Sequence, residues 1–206
     1  MIGRTVINRL KICLGTMAAL FFAVLAGVMM SDVVEARAGG NLGVATQCSF
    51  VIPPQFLPDE EPGLFRNKDY PMESSSIKYS IYYNGKDKVL TNREKQALLS
   101  KGELSLVDES ENLTKEIYQD TMKNAYSQEY GQDVSFEVTS FSKKSFDGFP
   151  GFKITAELQP TDDLKVYQTA YIILSRYRTF SITYQRAEDD ECEDLFNASA
   201  ATIHVR

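Results

Sequence analysis

The sequence predicts an α+β protein: an antiparallel sheet with helices on both faces, preceded by a signal peptide. Three observations predict it. Four consecutive segments between Val134 and Arg186 alternate apolar and polar residues. The links between them are short. One of the four is apolar on both sides.

The alternation has the period of a strand. Val134, Phe136 and Val138 oppose Ser135, Glu137 and Thr139 in the segment Val134–Phe141. Phe152, Ile154, Ala156 and Leu158 oppose Lys153, Thr155 and Glu157 in Gly151–Leu158. Phe180, Ile182 and Tyr184 oppose Ser181, Thr183 and Gln185 in Thr179–Arg186. The third segment, Leu164–Leu174, differs. Val166, Ala170, Ile172 and Leu174 fill one side, and Tyr167, Tyr171 and Ile173 the other. A strand apolar on both sides is usually central, with something packed over each face. Asp147-Gly148, Pro150-Gly151, Pro160–Asp163 and Ser175–Arg178 supply the turns. A parallel crossover needs a dozen or more residues, so these links make an antiparallel meander.

The N-terminus reads as an address. Arg4, Arg9 and Lys11 precede an apolar run from Ile12 to Met30, and Ala36-Arg37-Ala38 offers small residues at −3 and −1. That is a secretory signal peptide over residues 1–38. The alternative is an uncleaved anchor over residues 12–30, since about 20 apolar residues span a bilayer. Either way the globular part works outside the cytoplasm. Residues 39–47 form a flexible lead-in, and residues 48–206 one globular domain of a size that builds a core.

The chain has 206 residues and a net charge of −6. Residues 1–38 hold four of its 22 Lys+Arg and two of its 28 Asp+Glu, which leaves 18 against 26, or −8. An acidic domain argues against nucleic acid as a partner and against docking on anionic lipid by charge alone. Two cysteines remain, Cys48 and Cys192. Outside the cytoplasm a lone pair is expected to form one disulfide. The alternative is two separately buried thiols.

Along the rest of the chain, Cys48–Ile52 is a short strand stopped by Pro53-Pro54. Leu57–Met72 is loop-like, with Pro58, Pro62, Pro71 and the acids Asp59-Glu60-Glu61. Ile77, Tyr79, Ile81 and Tyr83 mark a strand that ends at Asn84-Gly85. Thr91 and Glu94 form a capping box for a helix that Gly102 stops. A second helix runs from about Leu113 to Tyr130, with Asn112 as its N-cap and Gly131 as its stop. Cys192, Leu195, Phe196, Ser199 and Ile203 lie at helical spacing, and the end near Ile203–Val205 turns extended.

With these elements in order, the chain resembles the PsbP/DcrB-like family of extracytoplasmic and thylakoid-lumen domains. The residues that carry the likeness are Cys48-Ser49-Phe50-Val51-Ile52-Pro53-Pro54-Gln55-Phe56, the long middle helix, Gly148-Phe149-Pro150-Gly151-Phe152, and Tyr171 with Phe180–Tyr184 and the helix around Phe196-Asn197-Ala198-Ser199. The resemblance implies an αβα sandwich, often without catalytic residues, whose members serve as assembly factors and accessory or binding subunits. It implies no single function.

No chemistry rises from the residue pattern. His204 is the only histidine and stands two residues from the end. A Ser-His-Asp or Cys-His device would need it as base, and no G-x-S-x-G elbow accompanies it. It reads as a surface or packing residue. Two cysteines are too few for a structural zinc site. Glu188-Asp189-Asp190-Glu191 lacks a calcium-loop pattern and fits the start of a helix, where acids complement the dipole. No catalytic, cofactor or metal residue is assigned. Tyr82, Tyr167 and Tyr171 are the candidate binding face, because tyrosine gives contact area at low entropy cost. Packing under a helix is the alternative.

The function expected is that of a secreted or envelope-associated, non-enzymatic accessory domain with a protein partner. The alternatives are a binder of a small apolar ligand between sheet and helix, and an enzyme of unrecognised type. The membrane is a partner only if residues 12–30 stay uncleaved.

Overall fold

A computed structural model describes residues 44–69, 75–82, 113–175, 178–188 and 191–206. The signal segment, the helix expected after Thr91 and the turn at Asn84-Gly85 lie outside the described residues.

The four predicted strands are all present. They are β5 (Ser135–Phe146), β6 (Phe149–Thr161), β7 (Leu164–Ser175) and β8 (Arg178–Ala187). Each pairs antiparallel with the next. β4 (Ser76–Tyr82) adds to β8. The sheet is completed by β3 (Leu64–Asn67) and β2 (Phe56–Pro58), in the order β2-β3-β4-β8-β7-β6-β5. A separate two-stranded ribbon pairs β1 (Cys48–Ser49) with β9 (His204–Val205).

The strands β2 and β3 correct the reading of Leu57–Met72 as loop. Prolines hide this hairpin from sequence. Pro58 sits on an edge strand, where a missing N–H costs no ladder bond. The acids of the turn are paired as well. Asp59 binds Arg66 at 2.5 Å and Glu61 binds Lys78. Gly63, at φ 77°, lets the turn lie on β4: its carbonyl accepts the Tyr79 N–H at 2.7 Å.

Pro150 and Gly151 belong to β6 and do not form a turn. The turn is Asp147-Gly148, both with positive φ. Gly151 serves close approach instead, since a Cβ there would stand 2.2 Å from the Ile172 carbonyl oxygen.

The middle helix, α1, spans Lys115–Tyr130. Its cap is Thr114 and not Asn112: the Thr114 hydroxyl accepts the Ile117 N–H at 3.3 Å. Gly131 ends it in the left-handed conformation. The last helix, α2, spans Glu193–Ala200.

Two apolar cores flank the sheet. In the first, Tyr118, Met122 and Tyr126 of α1 pack on Phe136, Val138, Phe152, Ile154, Ala156, Leu158 and one side of β7. In the second, Phe196 of α2, Cys48 and Val205 pack on Ile77, Phe180, Ile182, Tyr184 and the other side of β7. The two-sided apolar pattern of β7 thus divides between them: Val166, Ala170, Ile172 and Leu174 join the first core, Tyr171 and Ile173 the second. The second core stops at β7 apart from Phe146 and Phe149 at the hairpin tip.

Cys48 and Cys192 are both buried and free, and the expected disulfide is not shown. The Cys192 Sγ lies 3.2 Å from Asn67 Nδ2 and 3.3 Å from Ser75 Oγ. Cys48 is fixed in the ribbon opposite Val205. They share a core, and the Cys192 sulfur meets Asn67 and Ser75. Burial, and then the charge of Asp147, pushes the Cys48 thiol up to about 11.

Candidate functional site

Among the described residues, none packs over β5 and β6 on the side of the sheet that faces α2, apart from the hairpin tip at Phe146 and Phe149. Alternation decides which residues stand there. Since Phe152, Ile154, Ala156 and Leu158 face α1, Lys153, Thr155, Glu157 and Gln159 face the other way. The residues of β5 on that side include Glu137, Ser140, Ser142 and Lys144. None of these eight side chains is buried.

The register arranges them in rows. Glu137, Glu157, Tyr167 and Arg186 lie side by side on successive strands. The next row holds Ser140, Thr155 and Thr169, and the next Ser142, Lys153 and Tyr171. A row of two acids with Tyr167 and Arg186, a hydroxyl row and a row holding Lys153 thus follow one another. A bulge after Val138 brings in Thr139, whose hydroxyl meets that of Thr155 at 2.9 Å.

At the acidic row the charges are balanced locally. Lys165 pairs with Glu157 at 2.6 Å and Arg186 with Glu193 at 2.7 Å. Tyr167 lies between the two cations: the Lys165 Nζ is 5.1 Å and the Arg186 Cζ 4.6 Å from its ring centroid. The hydrogen bond to Glu157 holds the Lys165 ammonium above its ordinary pKa.

The three candidate tyrosines do not share a surface. Tyr167 is half-buried on this flank. Tyr171 points the same way but is buried, edge-on to Phe146 and Tyr184 at 6.2 and 5.9 Å. Tyr82 is on the opposite side of the sheet, because its register partner is Thr179 while Ile77 and Tyr79 join the second core. Burial raises its hydroxyl pKa. One tyrosine of the three therefore belongs to the uncovered flank as an accessible group. The alternating rows around it were present in the sequence, but only the register aligns them.

A groove of about 480 Å³ lies elsewhere, between α1 and the edge of β5. Lys115, Glu116, Gln119, Lys123, Ser135, Phe136 and Glu137 line it. Six of these are polar or charged, so it does not suit a small apolar ligand. Here α1 closes the strand edge. The Gln119 Oε1 accepts the Val138 N–H at 2.9 Å and the Ser127 Oγ accepts the Val134 N–H at 3.2 Å.

His204 has a partner that sequence reasoning missed. Its Nδ1 lies 2.8 Å from the Asp147 Oδ2, which also accepts the Val205 N–H at 2.7 Å. Ser49 stands opposite His204 in the ribbon. No hydrogen bond joins Ser49 to His204, and the imidazole is 57% exposed. A base that activates a serine needs that bond and a site that excludes water. The pair instead ties β9 to the β5–β6 turn. Among the described residues no group of three or more His, Cys, Asp or Glu is placed to hold a metal ion. No described helix is long and apolar enough to cross a membrane.

No family model and no curated protein matches the chain. Among solved structures it is similar to the cyanobacterial PsbP protein CyanoP of Synechocystis sp. PCC 6803. That likeness has a TM-score of 0.49 at 17% identity, over 84% of this chain and 99% of that one. It is also similar to PA94 of Pseudomonas aeruginosa, a protein of unknown function, with a TM-score of 0.38 at 11% identity over 77% and 94%. Neither likeness reaches a TM-score of one half, and neither bears on what the chain does.

Proposed function

We propose that the chain is a non-enzymatic accessory domain of PsbP-like αβα type that works outside the cytoplasm and binds a protein partner. Its uncovered flank on β5, β6 and β7 is the docking face. One observation supports this reading above the others. Among the described residues, Glu137, Ser140, Ser142, Lys153, Thr155 and Glu157 stand unburied in register on β5 and β6, while on that same side Tyr171, Ile173, Phe180, Ile182 and Tyr184 pack beneath α2 and the ribbon. Such a flat polar face suits a macromolecule better than a small molecule, which prefers a concave site. The export address read from residues 1–38 supports the location.

Site-specific photocrosslinking in the native envelope tests the reading. A crosslinker at Thr155 is expected to capture a discrete partner, and one at exposed Asn124 of α1 to capture none. Equal capture from both positions, or none from Thr155, would refute the docking face. Turnover of a substrate by the purified chain would refute the non-enzymatic assignment.

A further inference from the structure

Among the described residues, the flank ends at a strand edge with no strand beside it, and that edge carries cations that form no ion pair. β5 is the last strand of the sheet. Among the described residues α1 guards it, and over its first part only. Gln119 holds the Val138 N–H and Ser127 the Val134 N–H, so α1 runs antiparallel to β5. From Gln119 to the first helical residue, Lys115, the helix advances about 6 Å, or roughly two strand residues. Beyond about Ser140 it therefore no longer shields the edge. Lys143, Lys144 and Ser145 there are exposed.

This part of the edge brings three lysines together. Elsewhere Arg66, Lys78, Lys123, Lys165 and Arg186 each pair with a carboxylate. Lys143 and Lys144 form no ion pair among the described residues. Lys153 lies diagonally from Lys144, over the Tyr171 ring at 5.7 Å. Lys143 pairs across from Phe152 and so stands on the α1 side, whereas Lys144 and Lys153 stand on the uncovered side. The nearby acid, Asp147, is engaged by Val205 and His204. The net charge of −6 does not oppose an acidic ligand here, because charges beyond about 8–10 Å are screened at physiological salt.

We infer that the Phe141–Phe146 part of the β5 edge accepts an acidic, extended segment of a partner protein as an added strand. The segment's backbone pairs with the open edge, and its side chains alternate between the two sides. Two consecutive acidic residues then reach Lys143 on one side and Lys144 with Lys153 on the other. This inference rests on the docking reading above and names its partner's chemistry.

Anisotropy of a short fluorescein-labelled peptide, built from pairs of glutamates separated by valines, tests it with the full chain. The peptide is expected to bind at low salt and to weaken at high salt. The Lys143→Glu/Lys144→Glu variant is expected to lose roughly tenfold or more in affinity, and exposed Lys68→Glu to lose little. The same peptide N-methylated at alternate amides, which keeps its charge but cannot pair, is expected to bind weakly. Absent binding, or binding that survives the double reversal, overturns the inference. Equal binding of the N-methylated peptide overturns strand addition, as does a double reversal that changes only self-association of the chain. Capture by phosphatidylglycerol vesicles without peptide binding identifies a lipid ligand and also overturns it. If the peptide fails while Thr155 still crosslinks a partner, this inference falls and the docking face stands.

Discussion

At the Tyr126 hydroxyl two buried amides converge. It accepts from Gln168 Nε2 at 2.8 Å and Gln185 Nε2 at 2.9 Å, joining α1 to β7 and β8. Burial raises its pKa, so the hydroxyl stays neutral across the physiological range. Tyr126→Phe leaves both amides without this acceptor. Removing one partner of a buried bond costs about 1–3 kcal/mol. The expected result is a lower urea midpoint with an unchanged slope. Cys48 behaves as another buried group. With its thiol protonated and its neighbours packed around it, alkylation is slow. Both Cys48 and Cys192 are expected to react with iodoacetamide only as fast as the chain unfolds, and dithiothreitol is expected to leave the thermal midpoint where it was. A midpoint that falls under reduction would restore the disulfide.

Between elements, single contacts decide where a strand docks. Asp147 accepts the Val205 N–H, and this bond, with His204, holds its carboxyl below the usual carboxylate range against slight desolvation. The unfolded chain therefore binds that proton at higher pH than the folded chain does. The contribution is complete above the ordinary value of about 3.9 and is lost as pH falls through the lower folded value. Asp147→Asn is expected to be less stable near neutrality, with the difference closing below about pH 4; parallel stability curves would refute the link. Gly63 sets the β2–β3 turn on β4. A Cβ there would lie 2.2 Å from the Tyr79 carbonyl oxygen, at a φ of +77°. Gly63→Ala is expected to cost upwards of about 1 kcal/mol. Hydrogen exchange is expected to rise first in β2 and β3, where the Asp59–Arg66 and Glu61–Lys78 pairs hold the hairpin. Burial works against the ionised Asp59, and the Arg66 guanidinium outweighs it, keeping that carboxyl below its usual range.

For the molecule as a whole, the strands β5 to β8 and their antiparallel order are legible in sequence. Period-2 alternation and link length are local properties that no distant contact changes. The two-sided apolar face of β7 likewise requires packing on both sides, and both cores are there. The extent of that packing is a different matter. Lys153, Thr155 and Glu157 alternate as polar residues whether or not something lies over them, so sequence cannot tell a covered flank from an open one. Prolines conceal the β2–β3 hairpin for a related reason: an edge strand tolerates Pro58, and edge position is fixed only by the order of the sheet. The free cysteines depend on which neighbours each sulfur meets across more than a hundred residues of chain, namely Asn67 and Ser75 for Cys192. Pattern along a chain reports the preference of each residue for water or core, and that preference settles strands, helices and their ends. Which groups finally stand side by side in the open, Lys144 beside Lys153 or Thr155 beside Thr169, is settled by register and layer packing, because it depends on residues that meet only once the sheet is assembled.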